Sequence, residues 1–151
     1  MGLASATVDV PGSVEDAEEL WYDVRRWPTF VDGFGHVHRS DDGWPEEGTT
    51  LVWDSLPNGR GRVVERVVGH SRGEGQTSEV EDPRLRGIQR VVFTPLKDGV
   101  EVTLALDYQL KQGSVLRPFL DVLFIRWAMR DSLRRTLARF GRELEEERRL
   151  R

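Results

Sequence analysis

The stretch VEVTLALDYQL, residues 100–110, alternates apolar and polar side chains along its whole length. Its apolar members are Val100, Val102, Leu104, Leu106, Tyr108 and Leu110. Successive side chains of a β-strand point to opposite faces of a sheet, so these residues share one face. A strand of this kind buries one face against a core and leaves the other in water. The stretch therefore predicts a sheet that is covered on one side.

The chain before this stretch reads as a series of further strands. Runs rich in β-branched and aromatic residues lie near 36–40, 49–56, 61–70, 75–81 and 86–94, and turn clusters such as PNGRG and PLKDG separate them. The segment SATVDV, residues 5–10, adds one more run, and the opening stretch belongs to a strand at 99–111. Short turns favour antiparallel neighbours, because parallel strands need long crossovers. We expect seven antiparallel strands.

Helical patterns flank these strands. Ser13 and Asp16 form a capping-box pattern at the start of a first helix, which Pro28 is expected to end at Trp27. A short second helix or turn is expected around residues 29–34. Apolar residues recur at helical spacing from about 115 to 147, which predicts one long C-terminal helix. The chain shows no internal repeat and no linker, so we expect a single domain over residues 1–151.

This order of elements resembles the helix-grip fold of the START and birch-pollen-allergen (SRPBCC) superfamily, an α+β fold. Three stretches are similar to its polyketide cyclase/dehydrase-like branch, and the resemblance covers about residues 5–146. VDVPGSVEDAEELWYDVRRWPTF looks like the opening strand, first helix and Trp-Pro-x-Phe connection of that branch, VVFTPLKDGVEVTLALDYQL like its last hairpin, and RPFLDVLFIRWAMRDSLRRTLARFGREL like its closing helix.

The resemblance implies a cavity between the long helix and the bent sheet. Relatives use such a cavity for lipids, quinones, polyketides and other largely apolar ligands, and some catalyse cyclisation or dehydration in it. We therefore expect a hydrophobic or amphipathic ligand and no cofactor. The expected apolar walls are Trp27, Phe30, Trp53, Leu104, Leu106, Tyr108, Leu120, Leu123 and Trp127.

The strand GRVVERVVGH, residues 61–70, supplies a polar candidate for the same cavity. Val64, Arg66, Val68 and His70 share one face by parity, and Glu65 lies on the other, so a charged residue points inward whichever face is buried. A charge in that position must be paired, hydrated or facing a cavity. Arg66 is the favoured anchor, and Glu65 is the alternative.

Candidates for catalysis are weaker. Tyr108, Arg66 and His70 could move a proton or stabilise an enolate in a cyclase, dehydratase or aromatase, but the sequence has no motif for nucleophilic catalysis. His36 and His38 share one face of a strand, yet no carboxylate stands at a diagnostic metal-ligand spacing. We expect no metal site and interpret the two histidines as a solvated pair.

Composition limits the remaining choices. The chain has 151 residues, no cysteine and a net charge of -4, so a nucleic-acid partner is not expected. No segment is long and apolar enough to span a bilayer, and we expect a cytoplasmic protein. A third hypothesis is a protein or ribosome interaction module that uses the exposed face of the long helix, at Arg134, Arg135, Arg139 and Arg142. A homodimer is left open.

Overall fold

The computed structural model describes residues 2–111 and 120–151, and the side chains of all of these except 120–124. Seven strands and three helices follow one another in these ranges. The strands are β1 (Gly2–Val10), β2 (Phe34–Ser40), β3 (Thr50–Ser55), β4 (Arg62–Ser71), β5 (Gly75–Glu81), β6 (Leu85–Leu96) and β7 (Gly99–Leu110). The helices are α1 (Val14–Tyr22), α2 (Trp27–Phe30) and α3 (Leu120–Leu150).

The seven strands form one antiparallel sheet in the order β1-β7-β6-β5-β4-β3-β2. The predicted alternation of β7 is confirmed, because Val100, Val102, Leu104, Leu106 and Tyr108 are all buried. The first strand returns to pair with the last, so β1 and β2 are the two edges of the sheet. This architecture confirms the predicted helix-grip fold.

The connection between α1 and α2 differs from the prediction in one respect. The Ser13 and Asp16 capping box is present, but α1 ends at Tyr22 and not at Trp27. The Asp23 carboxylate accepts a hydrogen bond from the Arg25 backbone N–H, which begins a 3-10 turn over Val24–Arg26. Pro28 lies in the first turn of α2, where its missing N–H costs nothing. Pro28 therefore helps to start the second helix and does not stop the first.

The middle of α3 is fixed to the connection that precedes β2. Asp32 accepts hydrogen bonds from Ser132, Arg135 and Arg139, at 2.8–3.2 Å. The backbone N–H of Asp32 donates to Thr136 Oγ1 at 3.0 Å. These contacts hold α3 across the sheet. The face of the sheet that is turned toward α3 is called here the inner face.

The buried side of α3 completes the core. Leu133, Leu137, Phe140 and Leu144 are at most 8% exposed and pack in one cluster with the apolar residues of the inner face. The helix extends to Leu150, three residues beyond the predicted end, and residues 115–119 of its predicted start lie outside the described residues. In the described part of the chain, no helix is long and apolar enough to cross a membrane.

Candidate functional site

Rows of side chains cross the inner face from strand to strand. One row runs from Glu65 on β4 through Val80 and Gly87 to Tyr108 on β7, because each residue is the register partner of the next. The adjacent row is formed in the same way by Val67, Ser78, Gln89 and Leu106. Glu65, Ser78 and Tyr108 therefore bring polar groups to a face that is mostly apolar.

Glu65 is a buried acid on this face. Its side chain is 4% exposed, and Oε2 accepts a 2.6 Å hydrogen bond from Nε1 of Trp53. Burial raises the pKa of Glu65, and the Trp53 hydrogen bond and the nearby Arg60 charge offset only part of this rise. Burial thus favours the protonated carboxyl group, which can donate a hydrogen bond as well as accept one.

Arg60 lies beside Glu65 but pairs with another acid. Its guanidinium is 5.9 Å from the centre of the Trp53 ring, and its Nε donates to Asp82 Oδ2 at 2.8 Å. Asp82 also accepts the backbone N–H of Leu85, so its side chain is fixed in place. The charge of Arg60 is therefore engaged by Asp82, and Glu65 receives only its longer-range attraction.

The prediction that Arg66 points inward is wrong. Val63, Glu65 and Val67 are buried on β4, whereas Val64 and Arg66 are exposed on the outer face. The sequence leaves the parity open because valines occupy both faces of this strand. Arg66 lines an open depression of about 560 Å³ on the outer face of the sheet. Of the two charged candidates, Glu65 is therefore the one that faces inward, and its contact with a ligand stays a prediction.

Three buried polar groups, one each on β7, β5 and α3, lack a hydrogen bond of good geometry. Among the described residues, Tyr108 Oη, Ser78 Oγ and Arg126 Nε make no hydrogen bond of good geometry, although the Arg126 guanidinium is close enough to Tyr108 to act on its hydroxyl group. Burial raises the pKa of Tyr108, and the Arg126 guanidinium counteracts part of this rise. Each unsatisfied buried group costs about 1–3 kcal/mol. A bound molecule with polar atoms could supply the missing partners.

The position of the Tyr108 ring depends on a glycine. Gly2 on β1 is the register partner of Tyr108, and the ring lies across the space that a Cβ at residue 2 would occupy. The next inward residues of β1, Ala4 and Ala6, are also small and buried. The small side chains of β1 therefore make room for Tyr108 on the inner face.

The other predicted walls on the sheet and on α2 are buried. Leu104, Leu106 and Trp53 are at most 3% exposed, as are Trp27 and Phe30. The Trp27 ring contacts the Trp53 ring at 6.4 Å between centroids, so α2 covers the end of the inner face next to Glu65. Contact of these residues with a ligand stays a prediction.

The prediction that Trp127 faces the interior is wrong, because its side chain is 61% exposed. The buried stripe of α3 passes through Leu133 and Leu137, and extending it backwards at helical spacing leads to Met129 and Arg126. Trp127 is thus rotated away from the stripe. Leu120 and Leu123 lie in the part of α3 whose side chains are not described.

His70 lies on the inner face together with Glu65, and not with Arg66 as parity predicts. A β-bulge between Val67 and Gly69 shifts the register of β4 by one residue. Odd-numbered residues face inward before the bulge, and the even-numbered His70 faces inward after it. The two other histidines, His36 and His38, lie on the edge strand β2. His36 Nε2 is 3.2 Å from Asp54, which agrees with their interpretation as a surface pair.

Sequence reasoning missed Ser78 and Gln89. Ser78 could have been found, since GQTSEVE on β5 places Gln76, Ser78 and Val80 on one face. A search for apolar periodicity does not select Ser78 or Gln89, because both are polar.

Comparisons with known proteins agree with this architecture. The profile of the family described as polyketide cyclase / dehydrase and lipid transport matches residues 1–145. No curated protein matches the chain significantly.

Several solved structures share the fold. TTHA0849 from Thermus thermophilus has a TM-score of 0.72 at 17% identity, with 96% of this chain and 98% of that chain covered. A START superfamily protein from Mycobacterium smegmatis has a TM-score of 0.70 at 17% identity, covering 97% and 99% of the two chains. DynU16, a protein of the dynemicin biosynthetic locus, has a TM-score of 0.64 at 18% identity, and 96% of this chain covers 48% of that one.

Proposed function

The chain belongs to the polyketide cyclase/dehydrase and lipid transport family, and from that premise we propose that it binds a largely apolar small molecule on the inner face of its sheet. The ligand class is a lipid, a quinone or a polyketide-like molecule with at least one oxygen-containing group. Binding, rather than catalysis, is the primary activity proposed. The predicted cytoplasmic location, the absence of a cofactor and the oligomeric state stay predictions.

The observation that supports this proposal is the group of unsatisfied polar atoms on an apolar surface. Tyr108 Oη and Arg126 Nε are both hydrogen-bond donors, and Ser78 Oγ can donate or accept. A ligand carbonyl oxygen next to Tyr108 would accept one of these bonds, while the buried side chains around Leu104 and Leu106 would contact its apolar part. Ligand pockets typically combine apolar walls with a few placed polar groups.

A cyclase or dehydratase activity is the second candidate, and the protonated state favoured at Glu65 supports it. Glu65 and Tyr108 lie on one inner row and could both donate protons. Three strand spacings of about 4.8 Å separate them, or about 14 Å along the sheet. The two groups could therefore contact opposite ends of an extended ligand but not the same atom. His70 lies nearer the other end of β4, so it could contact only a third part of such a ligand.

The interaction-module hypothesis has less support. Arg135 and Arg139, two of its four arginines, form ion pairs with Asp32 within the chain. Arg134 and Arg142 are exposed and are the suitable positions for testing a protein partner.

Menadione, an apolar bicyclic quinone, is a suitable probe of the proposed site, and 2-methylnaphthalene is the matched probe without carbonyl groups. The chain has no cysteine, so menadione cannot form a thiol adduct with it. Quenching of tryptophan fluorescence gives the dissociation constants. We expect Tyr108→Phe to weaken menadione binding by about threefold to tenfold, as expected for one hydrogen bond, and to leave 2-methylnaphthalene binding unchanged.

Two controls make this experiment decisive. Tyr22→Phe removes another buried hydroxyl that lacks a partner, and it should not affect menadione. Leu106→Trp should abolish binding of both probes, with far-UV circular dichroism to confirm that the variant folds. The proposal is wrong if the wild-type chain binds neither probe saturably, or if Tyr108→Phe and Tyr22→Phe change menadione binding equally.

A further inference from the structure

A second group of buried polar atoms lies away from Tyr108, where α1 meets β4. His70 has a 7% exposed side chain, and the edge of its ring meets the Tyr22 ring at 5.1 Å between centroids. Among the described residues, neither His70 Nε2 nor Tyr22 Oη has a hydrogen-bond partner, although both atoms are buried. Two adjacent unsatisfied groups from different elements are unusual in a native interior.

The surroundings determine which atom donates and which accepts. Glu46 Oε1 lies 3.2 Å from His70 Nδ1, which favours a ring proton on Nδ1, and an imidazole with that single proton has Nε2 as an acceptor. Burial, with the negative charges of Glu18 and Glu46, raises the pKa of Tyr22 above its ordinary value. Tyr22 therefore keeps its proton and acts as a donor. The two contacting rings thus carry one acceptor and one donor.

The loop before β3 holds this arrangement together. Nε1 of Trp44 donates to the Tyr22 carbonyl oxygen at 3.0 Å, and Nε2 of Gln76 donates to the Pro45 carbonyl oxygen at 3.0 Å. Glu46 follows directly in the same loop. The loop that carries Glu46 is thus held by contacts to both α1 and β5.

We propose that His70 and Tyr22 form a second binding site, which takes the hydroxyl group of an aromatic alcohol. A hydroxyl group is both donor and acceptor, so it can donate to Nε2 and accept from Tyr22 Oη at the same time. The ring of such a ligand suits the aromatic surroundings, because Phe93 lies beside Tyr22 at 6.2 Å between ring centroids. This site is separate from the one proposed at Tyr108 and does not depend on it.

Phenol is the probe for this site, and toluene is its matched control, since a methyl group replaces the hydroxyl. The full chain, labelled with ¹⁵N at histidine, is titrated with each probe, and long-range ¹H–¹⁵N correlation spectra report the imidazole nitrogens. The spectrum of His70→Gln separates the His70 signals from those of His36 and His38. We expect phenol to shift Nε2 of His70 saturably and toluene to bind at least about threefold more weakly.

Two variants locate the effect. Tyr22→Phe keeps the ring and removes a hydroxyl that has no partner, so it should fold normally and weaken phenol by about threefold to tenfold. Tyr108→Phe should leave phenol binding at His70 unchanged. The inference is overturned if phenol and toluene shift Nε2 equally, if no saturable shift occurs, or if Tyr108→Phe has the effect expected of Tyr22→Phe. A crystal grown with phenol that holds only water beside His70 would also overturn it.

Discussion

Replacement of Glu65 by glutamine tests the state of the buried acid most sharply. The glutamine amide is uncharged and nearly isosteric, and its oxygen can still accept the hydrogen bond from Trp53 Nε1. Burial raises the folded-state pKa of Glu65 above its ordinary value of 4.5. The wild-type fold therefore binds a proton more tightly than the unfolded chain does, and it loses stability as the pH rises from 4.5 to the folded-state pKa.

The size of this effect follows from proton linkage. Each pH unit in that window costs the wild-type fold about 1.4 kcal/mol. Glutamine does not titrate, so the free energy of unfolding of Glu65→Gln should rise relative to wild type by about 1.4 kcal/mol for each pH unit between 4.5 and the folded-state pKa of Glu65. Below pH 4.5 the difference between the two proteins should become constant, because Glu65 is then protonated in both states.

Urea unfolding followed by tryptophan fluorescence, repeated at several pH values, gives these free energies. Glu79→Gln is the matched control, because Glu79 lies on the outer face of β5 and is exposed to water. The reasoning is refuted if Glu65→Gln and wild type differ by the same amount at every pH, or if Glu79→Gln shows the same pH dependence.

Three further predictions concern stability, each measured by urea unfolding. Burial raises the pKa of Asp32, but hydrogen bonds from Arg135 and Ser132 more than compensate and hold it below 3.8. Asp32→Asn should therefore cost about 1–2 kcal/mol of unfolding free energy at pH 7. This cost should shrink as the pH falls below 3.8, and an equal cost at pH 3 would contradict the ion-pair account. Phe140→Ala should cost about 3–5 kcal/mol, because Phe140 is fully buried; a loss below 1 kcal/mol would be inconsistent with its place in the core. Gly87→Ala should cost about 1–3 kcal/mol, because its Cβ would overlap the backbone of β7; an unchanged midpoint would exclude that close approach.

The sequence was sufficient for the fold because the periodic patterns are strong. The alternation in β7 and the apolar stripe of α3 each depend on many residues, so single exceptions do not change the result. Boundaries were less predictable, as the end of α1 shows. The Asp23 side chain begins a new turn there, and a local hydrogen bond of that kind has only a weak sequence signal.

The site was less predictable because it depends on single residues. Glu65 and Arg66 are adjacent, and the direction of each is decided by which valines of β4 are buried. His70 lies on the face opposite to the predicted one because of a single bulge, and the run VVGH gives no clear signal for that bulge. Trp127 is apolar but lies on the exposed side of α3, where hydrophobicity alone is misleading. Tyr108 was placed correctly because it continues the alternation of β7.

Native mass spectrometry tests the central claim, ligand binding on the inner face, most directly. The wild-type protein is purified without denaturant and its mass is compared with that of Leu106→Trp, whose larger side chain would fill the proposed site. We predict that the wild-type protein carries a noncovalent small molecule that solvent extraction releases, and that the folded variant does not. The account would be contradicted if each protein showed only the mass of its own bare chain and the wild type did not bind menadione saturably.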